Sequence, residues 1–325
     1  MRILITGITG MVGSHLADYV LRERPDVEVH GLVRWRSPSD NIDHIKRQLR
    51  LHLAELRDLN SLVRLLAEVK PDRIFHLAAQ SYVSASFTAP ADTLITNIVG
   101  TNNLLDAVRV VGIDPLIHIC SSSEVYGQVE ANEVPITENN PLRPASPYAV
   151  SKLGEDMVAR QYFLSYGIRT IRTRMFTHTG PRRGDVFAES SFAKQIAEIE
   201  NGFRQGPVRV GNLGSIRTIS DVRDAVQAYW LLMERCEVGE AYNIGGDRTM
   251  SVGEILEMLK SMATVPIEHT VDPTLLRPSD VTLQIPDTSK FRRATGWKPT
   301  IPVEVTLRDL LNYQRGRVKA RRGET

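Results

Sequence analysis

Short apolar runs alternate with amphipathic stretches along the first half of the chain. RILIT is a continuous apolar run of the kind that fills a strand covered on both faces, and from Val12 to Arg24 apolar positions recur at helical spacing. VEVHGLV predicts a second strand, LNSLVRLLAEVK a helix, and DRIFHLA another strand. One long helix is expected from Thr93 to Val111, then a strand in PLIHIC. Pro147 to Ser165 reads as a helix, with Pro147 suited to its first turn, and IRTIRTRM as the next strand. Strand and helix in strict alternation predict an α/β fold: a Rossmann-type doubly wound parallel sheet with helices on both faces.

After about Met175 the pattern loosens. HTGPRRGD gathers Pro, Gly and Arg, a helix is expected from Ser190 to about Phe203, and VRVGN is a short strand. SDVRDAVQAYWLLME predicts a helix capped by Ser220 or Asp221, and AYNIGG a last strand. From Met250 onward a helix (VGEILEMLKSMA), a loop (TLLRPSD) and a closing GWKP segment predict a smaller lobe. The expected division is interleaved: 1–174 plus 215–247 for the sheet domain, 175–214 plus 248–325 for the C-terminal lobe.

Composition narrows the classes. With 325 residues, 42% apolar and 24% charged, the chain can bury a large core and is no candidate for disorder. A formal charge of +2 gives no reason to expect a nucleic-acid partner. The basic tail, RGRVKARRGET, lacks an obvious apolar anchor and is expected to fray in solvent. Cys120 and Cys236 have neither a disulfide framework nor metal-ligand spacing, so reduced thiols and no metal are expected. No signal-peptide pattern or membrane-length apolar run is apparent, so the expectation is a cytoplasmic protein with no membrane partner.

TGITGMVGSH places Gly7, Gly10 and Gly13 directly after the first strand and at the opening of the first helix. Glycines there let backbone approach a pyrophosphate, whose charge suits a helix N-terminus; Met11 and Val12 lie within the same turn. Where an NAD site carries an acid after the second strand, GLVRWRS supplies Arg34, Arg36 and Ser37. Guanidinium groups suit a 2′-phosphate, so NADP is the expected cofactor. Leu77, Ala78 and Ala79 of HLAAQS are small enough to admit it, and Glu55 and Leu56 of AELRD could bracket adenine.

Tyr148 and Lys152 stand at i and i+4, on one helical face, so an ammonium beside a phenol would lower the phenol's pKa. Such a phenol can exchange a proton with an alcohol while hydride passes to nicotinamide. SSSEVYG adds a hydroxyl cluster at a strand end, with Glu124 among its serines.

Together, TGITGMVG, HLAAQSYV, SSSEVYG and YAVSK resemble the extended short-chain dehydrogenase/reductase family, in the group that acts on nucleotide sugars, over nearly the whole chain. GLVRWRS, the stretch LNSLVRLLAEVKPDRIFHLAAQSYVSASF and GPRRGDVF are similar to its GDP-mannose 4,6-dehydratase branch. FAKQIAEIE, DVRDAVQAYWLL and LRPSDVTLQIPDTSKFRRATGWKP look at least as close to its GDP-4-keto-6-deoxymannose reductases.

The resemblance implies a GDP-sugar substrate and NADP-dependent dehydration of GDP-mannose at C4 to C6. Ser122 would hold the sugar's 4-hydroxyl beside Tyr148, and Lys152 would also bind the nicotinamide ribose. Ser81, Ser123 and Thr177 would line the sugar pocket, Lys194, Arg217 and Arg277 would meet the nucleotide, and Asp280 the ribose or base. Thr177 stands where the family usually has Asn, and Glu55 where it usually has Asp. Arg182 and Arg183 are expected at the lobe's edge or in a subunit contact. A homodimer or homotetramer is implied, with 93–111 and 147–166 as the dimer face. Glu124 is either the base that removes the C5 proton or a turn-capping carboxylate. The alternatives are accordingly a 4-keto reductase or epimerase and, from another class, a non-catalytic NADP-binding regulator.

Overall fold

The structure, a computed structural model, describes residues 1–323. Its strands begin with β1 (Arg2–Thr6), β2 (Glu28–Val33), β3 (Arg50–Leu53), β4 (Arg73–His76), β5 (Leu116–Ser122) and β6 (Thr170–Met175). There follow β7 (His178–Thr179), β8 (Val208–Val210), β9 (Ile216–Asp221) and β10 (Ala241–Ile244). The last are β11 (Arg248–Ser251), β12 (His269–Val271) and β13 (Leu283–Gln284).

Seven strands form a parallel sheet in the order β10-β6-β5-β4-β1-β2-β3. The order reverses between β1 and β4, and in such sheets ligands sit in the crevice over the carboxyl ends at that switch point. One face is packed by the helices Met11–Glu23 and Val222–Arg235, with Phe75 and Trp230 stacked at 6.1 Å in that core. The helices Leu59–Val69, Gly100–Val111 and Pro147–Tyr166 cover the other. β3 has no counterpart in the sequence pattern. It is a sheet edge whose Arg50 and Leu53 are exposed, so it lacks a buried strand's continuous apolar run.

The lobe is built on β9, flanked by antiparallel β11 and parallel β13, with β7 also paired to β9. A separate parallel pair joins β8 to β12. The interval 215–247 therefore serves both units: β9 lies in the lobe's sheet and β10 in the central one. Among the described residues no helix is long and apolar enough to cross a membrane.

Two expectations give way. The helix expected over 93–111 is three segments: Pro90–Leu94, a π-helical turn at Ile95–Val99, and Gly100–Val111. The turn carries buried Asn97, whose Oδ1 accepts Gln80 N–H (2.8 Å) and whose Nδ2 donates to Gln80 O (3.0 Å) and Ser151 Oγ (2.8 Å). Helix geometry has yielded to side-chain bonds that tie the loop after β4 to the helix carrying Tyr148. The basic tail is not frayed up to Gly323: the helix Val303–Gly323 runs through it. Val318 is buried, and Arg315 and Arg317 pair with Glu200 (2.6 Å) and Asp185 (2.9 Å). Glu324 and Thr325 lie outside the described residues.

Candidate active site

A cleft of about 1110 Å³ runs over the carboxyl ends of the central sheet and into the lobe. Gly7, Gly10, Met11, Val12 and Gly13 line its floor. Gly7 has φ +72°, and a Cβ there would lie 2.9 Å from Ala78 Cα; one on Gly13 would lie 2.3 Å from Gly7 O. The turn therefore packs backbone against backbone in a way only glycine permits. The helix that follows starts at Met11 with no side-chain cap, so its first N–H groups point into the cleft as an anion cradle. These residues fit a dinucleotide pyrophosphate.

At the next strand end Arg34 and Ser37 close a tight turn, with Arg34 N–H donating to Ser37 Oγ at 3.0 Å. Both line the cleft, with Glu55 and Leu56. Arg36 does not; it borders an adjoining pocket of about 510 Å³ shared by Arg34 and Glu55. Neither arginine forms an ion pair among the described residues, so both guanidinium groups stay available to an anion. Leu77, Ala78, Ala79 and Ser81 complete this wall.

Ser122 ends β5 and Tyr148 and Lys152 share one turn of the Pro147–Tyr166 helix, whose cap is Ser146 Oγ accepting Ala149 N–H (3.0 Å). All three line the cleft. Burial raises the Tyr148 phenol above its ordinary range, while the Lys152 ammonium and a hydrogen bond with Ser122 draw it back down. The expected lowering by Lys152 is present as a contribution, but desolvation outweighs it. Lys152 is itself buried and pairs with Glu155 at 2.6 Å.

The helix is anchored below this site by a buried triad. Asp156 accepts from Arg172 Nη1 (2.7 Å) and Arg174 Nε (2.9 Å), two residues apart on β6. Removing one partner of such a buried cluster costs roughly 3–5 kcal/mol, because the other charge is left unpaired.

Glu124 lines the cleft but does not cap its turn. Ser122 does, its Oγ accepting the Glu124 N–H at 3.2 Å. Burial raises the Glu124 carboxyl, and Arg217 and then Arg277 pull it back. Asp280 lies between those two arginines, 3.9 Å from Arg217 and 3.7 Å from Arg277, and is held by Asn212 Nδ2 at 2.8 Å. Arg217, Arg277, Asp280 and Thr177 all line the cleft.

Other placements differ from the sequence expectations. Lys194 is not among the lining residues; its ammonium is on Asp185 at 2.9 Å. Ser123 does line the cleft, with its hydroxyl turned to Gln284 Oε1 (3.0 Å), bridging sheet domain and lobe. Arg182 and Arg183 are not at the lobe's outer edge but in the cleft. Arg182 pairs with Asp18 at 2.7 Å, and Arg183 stacks over Phe187 at 3.6 Å beside buried Glu189. The only sequence signal for Arg183 and Glu189 was the Pro-Arg-Arg-Gly cluster, which cannot tell inward from outward.

The family model for GDP-mannose 4,6 dehydratase matches residues 4–310. A GDP-6-deoxy-D-mannose reductase of Pseudomonas aeruginosa is 32% identical, covering 98% of each chain. A GDP-mannose 4,6-dehydratase of Yersinia enterocolitica is 33% identical over 93% of this chain and 90% of its own. The structure of RMD from Pseudomonas aeruginosa complexed with NADPH superposes with a TM-score of 0.84 at 32% identity, over 97% of this chain and 99% of that one.

Proposed function

This chain belongs to the GDP-mannose 4,6-dehydratase family of extended short-chain dehydrogenases/reductases, and from that premise we propose that it converts GDP-D-mannose to GDP-4-keto-6-deoxy-D-mannose. Its cofactor is NADP, which Gly7 to Gly13 would hold at the pyrophosphate and Arg34 and Arg36 at the 2′-phosphate. When bound, the nicotinamide supplies a hydride acceptor for C4 and a donor for C6, so no net redox change results.

The protein's own groups carry the protons. Tyr148 takes the O4 proton while Ser122 holds that oxygen in place, and Lys152 steadies the phenolate. The C4 ketone acidifies C5, Glu124 removes the C5 proton and passes it to the C6 hydroxyl, which leaves as water; as C6 would take up the hydride, C5 takes a proton from solvent through Glu124. Arg217 and Arg277 suit the diphosphate, since their forks match its oxygens and they already face Glu124 and Asp280 across the cleft.

One observation favours the dehydratase over a plain reductase: the turn after β5 is capped by Ser122, leaving the Glu124 carboxylate to the cleft that the Ser-Tyr-Lys set also lines, within the field of the lobe's Arg217 and Arg277. A reductase needs only Ser122, Tyr148 and Lys152. The second reading is a GDP-4-keto-6-deoxymannose reductase, favoured by the end-to-end similarity to the Pseudomonas relative. Incubation with GDP-mannose and NADP, without reductant, tests the choice. A product lighter by one water supports dehydration; no product, with NADPH oxidised by the 4-keto sugar, establishes the reductase.

The reading extends to a homodimer through the 95–99 turn and the Pro147–Tyr166 helix, where Ile95, Val99 and Val150 are each more than 40% exposed.

A further inference from the structure

In YAVSKLGED, Glu155 stands three residues after Lys152, and the helix brings the two together. Lys152 Nζ donates to Glu155 Oε2 at 2.6 Å, with the side chains 6% and 1% exposed. Among the described residues Glu155 Oε1 has no hydrogen-bond partner. Burying an ion pair is a poor route to stability, since well-packed apolar residues serve as well or better. A carboxylate sealed beneath the site's ammonium therefore calls for a chemical explanation. Asp156, next along, gives none, being held by Arg172 and Arg174.

We propose that Glu155 is a positioning residue: it fixes the Lys152 ammonium beneath Tyr148 and balances its charge, so that the phenol is tuned by a Lys152–Glu155 pair rather than by a bare cation. This rests on the role given above to Tyr148 as the proton-transferring group.

The surroundings leave Glu155 as the counter-charge. From β4 and β5, burial drives His76 and His118 down to about 3, so both imidazoles are neutral. Burial holds Cys120 of β5 and Tyr229 of the 222–235 helix protonated. Burial alone would lower Lys152, but Glu155 foremost, with Tyr148 and Cys120, reverses this and keeps it an ammonium. Glu155 is pushed up to about 7 by burial, against the pull of Lys152. On Tyr148 the two act oppositely, Lys152 downward and Glu155 upward. One of the three ammonium N–H groups is engaged by Glu155, which fixes the direction of the other two.

Nitration of Tyr148 by tetranitromethane reads this directly, because the reagent attacks phenolate. The cofactor-free protein is treated at pH 8, and Tyr148 is compared with exposed Tyr166 by peptide mass spectrometry. Without Glu155, burial neutralises Lys152, and losing a facing cation raises a phenol pKa by about one unit, which is about tenfold less phenolate. Glu155→Gln should lower the Tyr148/Tyr166 ratio about tenfold, and Glu155→Asp, which retains the carboxylate, should leave it near wild type. An unchanged or higher ratio in folded Glu155→Gln overturns the proposal, as does an equal fall in both variants, which a merely structural role would give. Should Glu155→Gln unfold at the assay temperature, Glu155→Met, of similar size and without charge, takes its place with the same outcomes. Nitration needs neither sugar nor cofactor, so its outcome is separate from failure of the dehydratase reading.

Discussion

Ser122 Oγ accepts the backbone N–H of Glu124 at 3.2 Å, so the hydroxyl that orients Tyr148 also caps the turn carrying Glu124. The sequence offered that capping role to Glu124. With Ser122 filling it, the carboxylate is left to the cleft and to Arg217 and Arg277. Glu124→Gln keeps the shape and removes the base. Water loss from GDP-mannose should fall at least ~10²-fold, the lower end of a general base's contribution. NADP binding, followed by fluorescence titration, should not change, and turnover at wild-type rate would refute Glu124 as the C5 base.

The cofactor preference rests on Arg34, exposed beside Ser37 and in no ion pair among the described residues. A hydrogen bond to a charged group contributes roughly 1.5–3 kcal/mol. Arg34→Ala should weaken NADP binding by about 10- to 100-fold while leaving NAD affinity nearly unaltered. Calorimetric titration with each dinucleotide checks this; equal losses for both would remove the 2′-phosphate assignment.

How far the sequence could see is clearest residue by residue. Gly7, Gly10 and Gly13, and Tyr148 with Lys152, were legible because each set acts through local spacing within one turn or one helix. Asn97 and Glu155 were not, because their meaning comes from tertiary partners: Gln80 and Ser151 for one, the sealed face of Lys152 for the other. Lys194 is held by Asp185, nine residues upstream, a pairing that sequence spacing does not distinguish from a nucleotide contact. The tail reads as unanchored because buried Val318 and ion pairs to distant Glu200 and Asp185 leave no periodic trace.

Acid should destabilise the fold from about pH 6.5 downward, through histidines buried in their neutral form. Burial depresses His15 to about 4 and His76 and His118 to about 3, from an ordinary 6.5. The unfolded chain therefore takes up protons below pH 6.5 that the folded chain refuses. Their stabilising effect is complete above pH 6.5 and is lost as pH falls towards 4 and then 3. Each such histidine contributes a slope of up to about 1.4 kcal/mol per pH unit in that window. Thermal melts at pH 7.5, 6 and 5 should show an accelerating fall in Tm, shallower in His118→Gln; a flat profile would contradict neutral buried imidazoles.

Val99 and Val150 are each 43% exposed on the proposed dimer face. A charge there would have to be desolvated against apolar neighbours on association. Val99→Lys with Val150→Glu should shift the protein towards monomer by light scattering, without lowering its Tm at monomer concentrations. An unchanged mass would place the interface elsewhere.

The internal return of hydride is the central claim, and isotope transfer tests it most directly. GDP-mannose deuterated at C4 is incubated with the protein and NADP in ordinary water, and the product is examined by NMR and mass spectrometry. Dehydration by this site predicts a 4-keto-6-deoxy product with deuterium at C6 and no accumulation of reduced cofactor. Deuterium retained in NADPH, or a product that keeps its C6 hydroxyl, would contradict it.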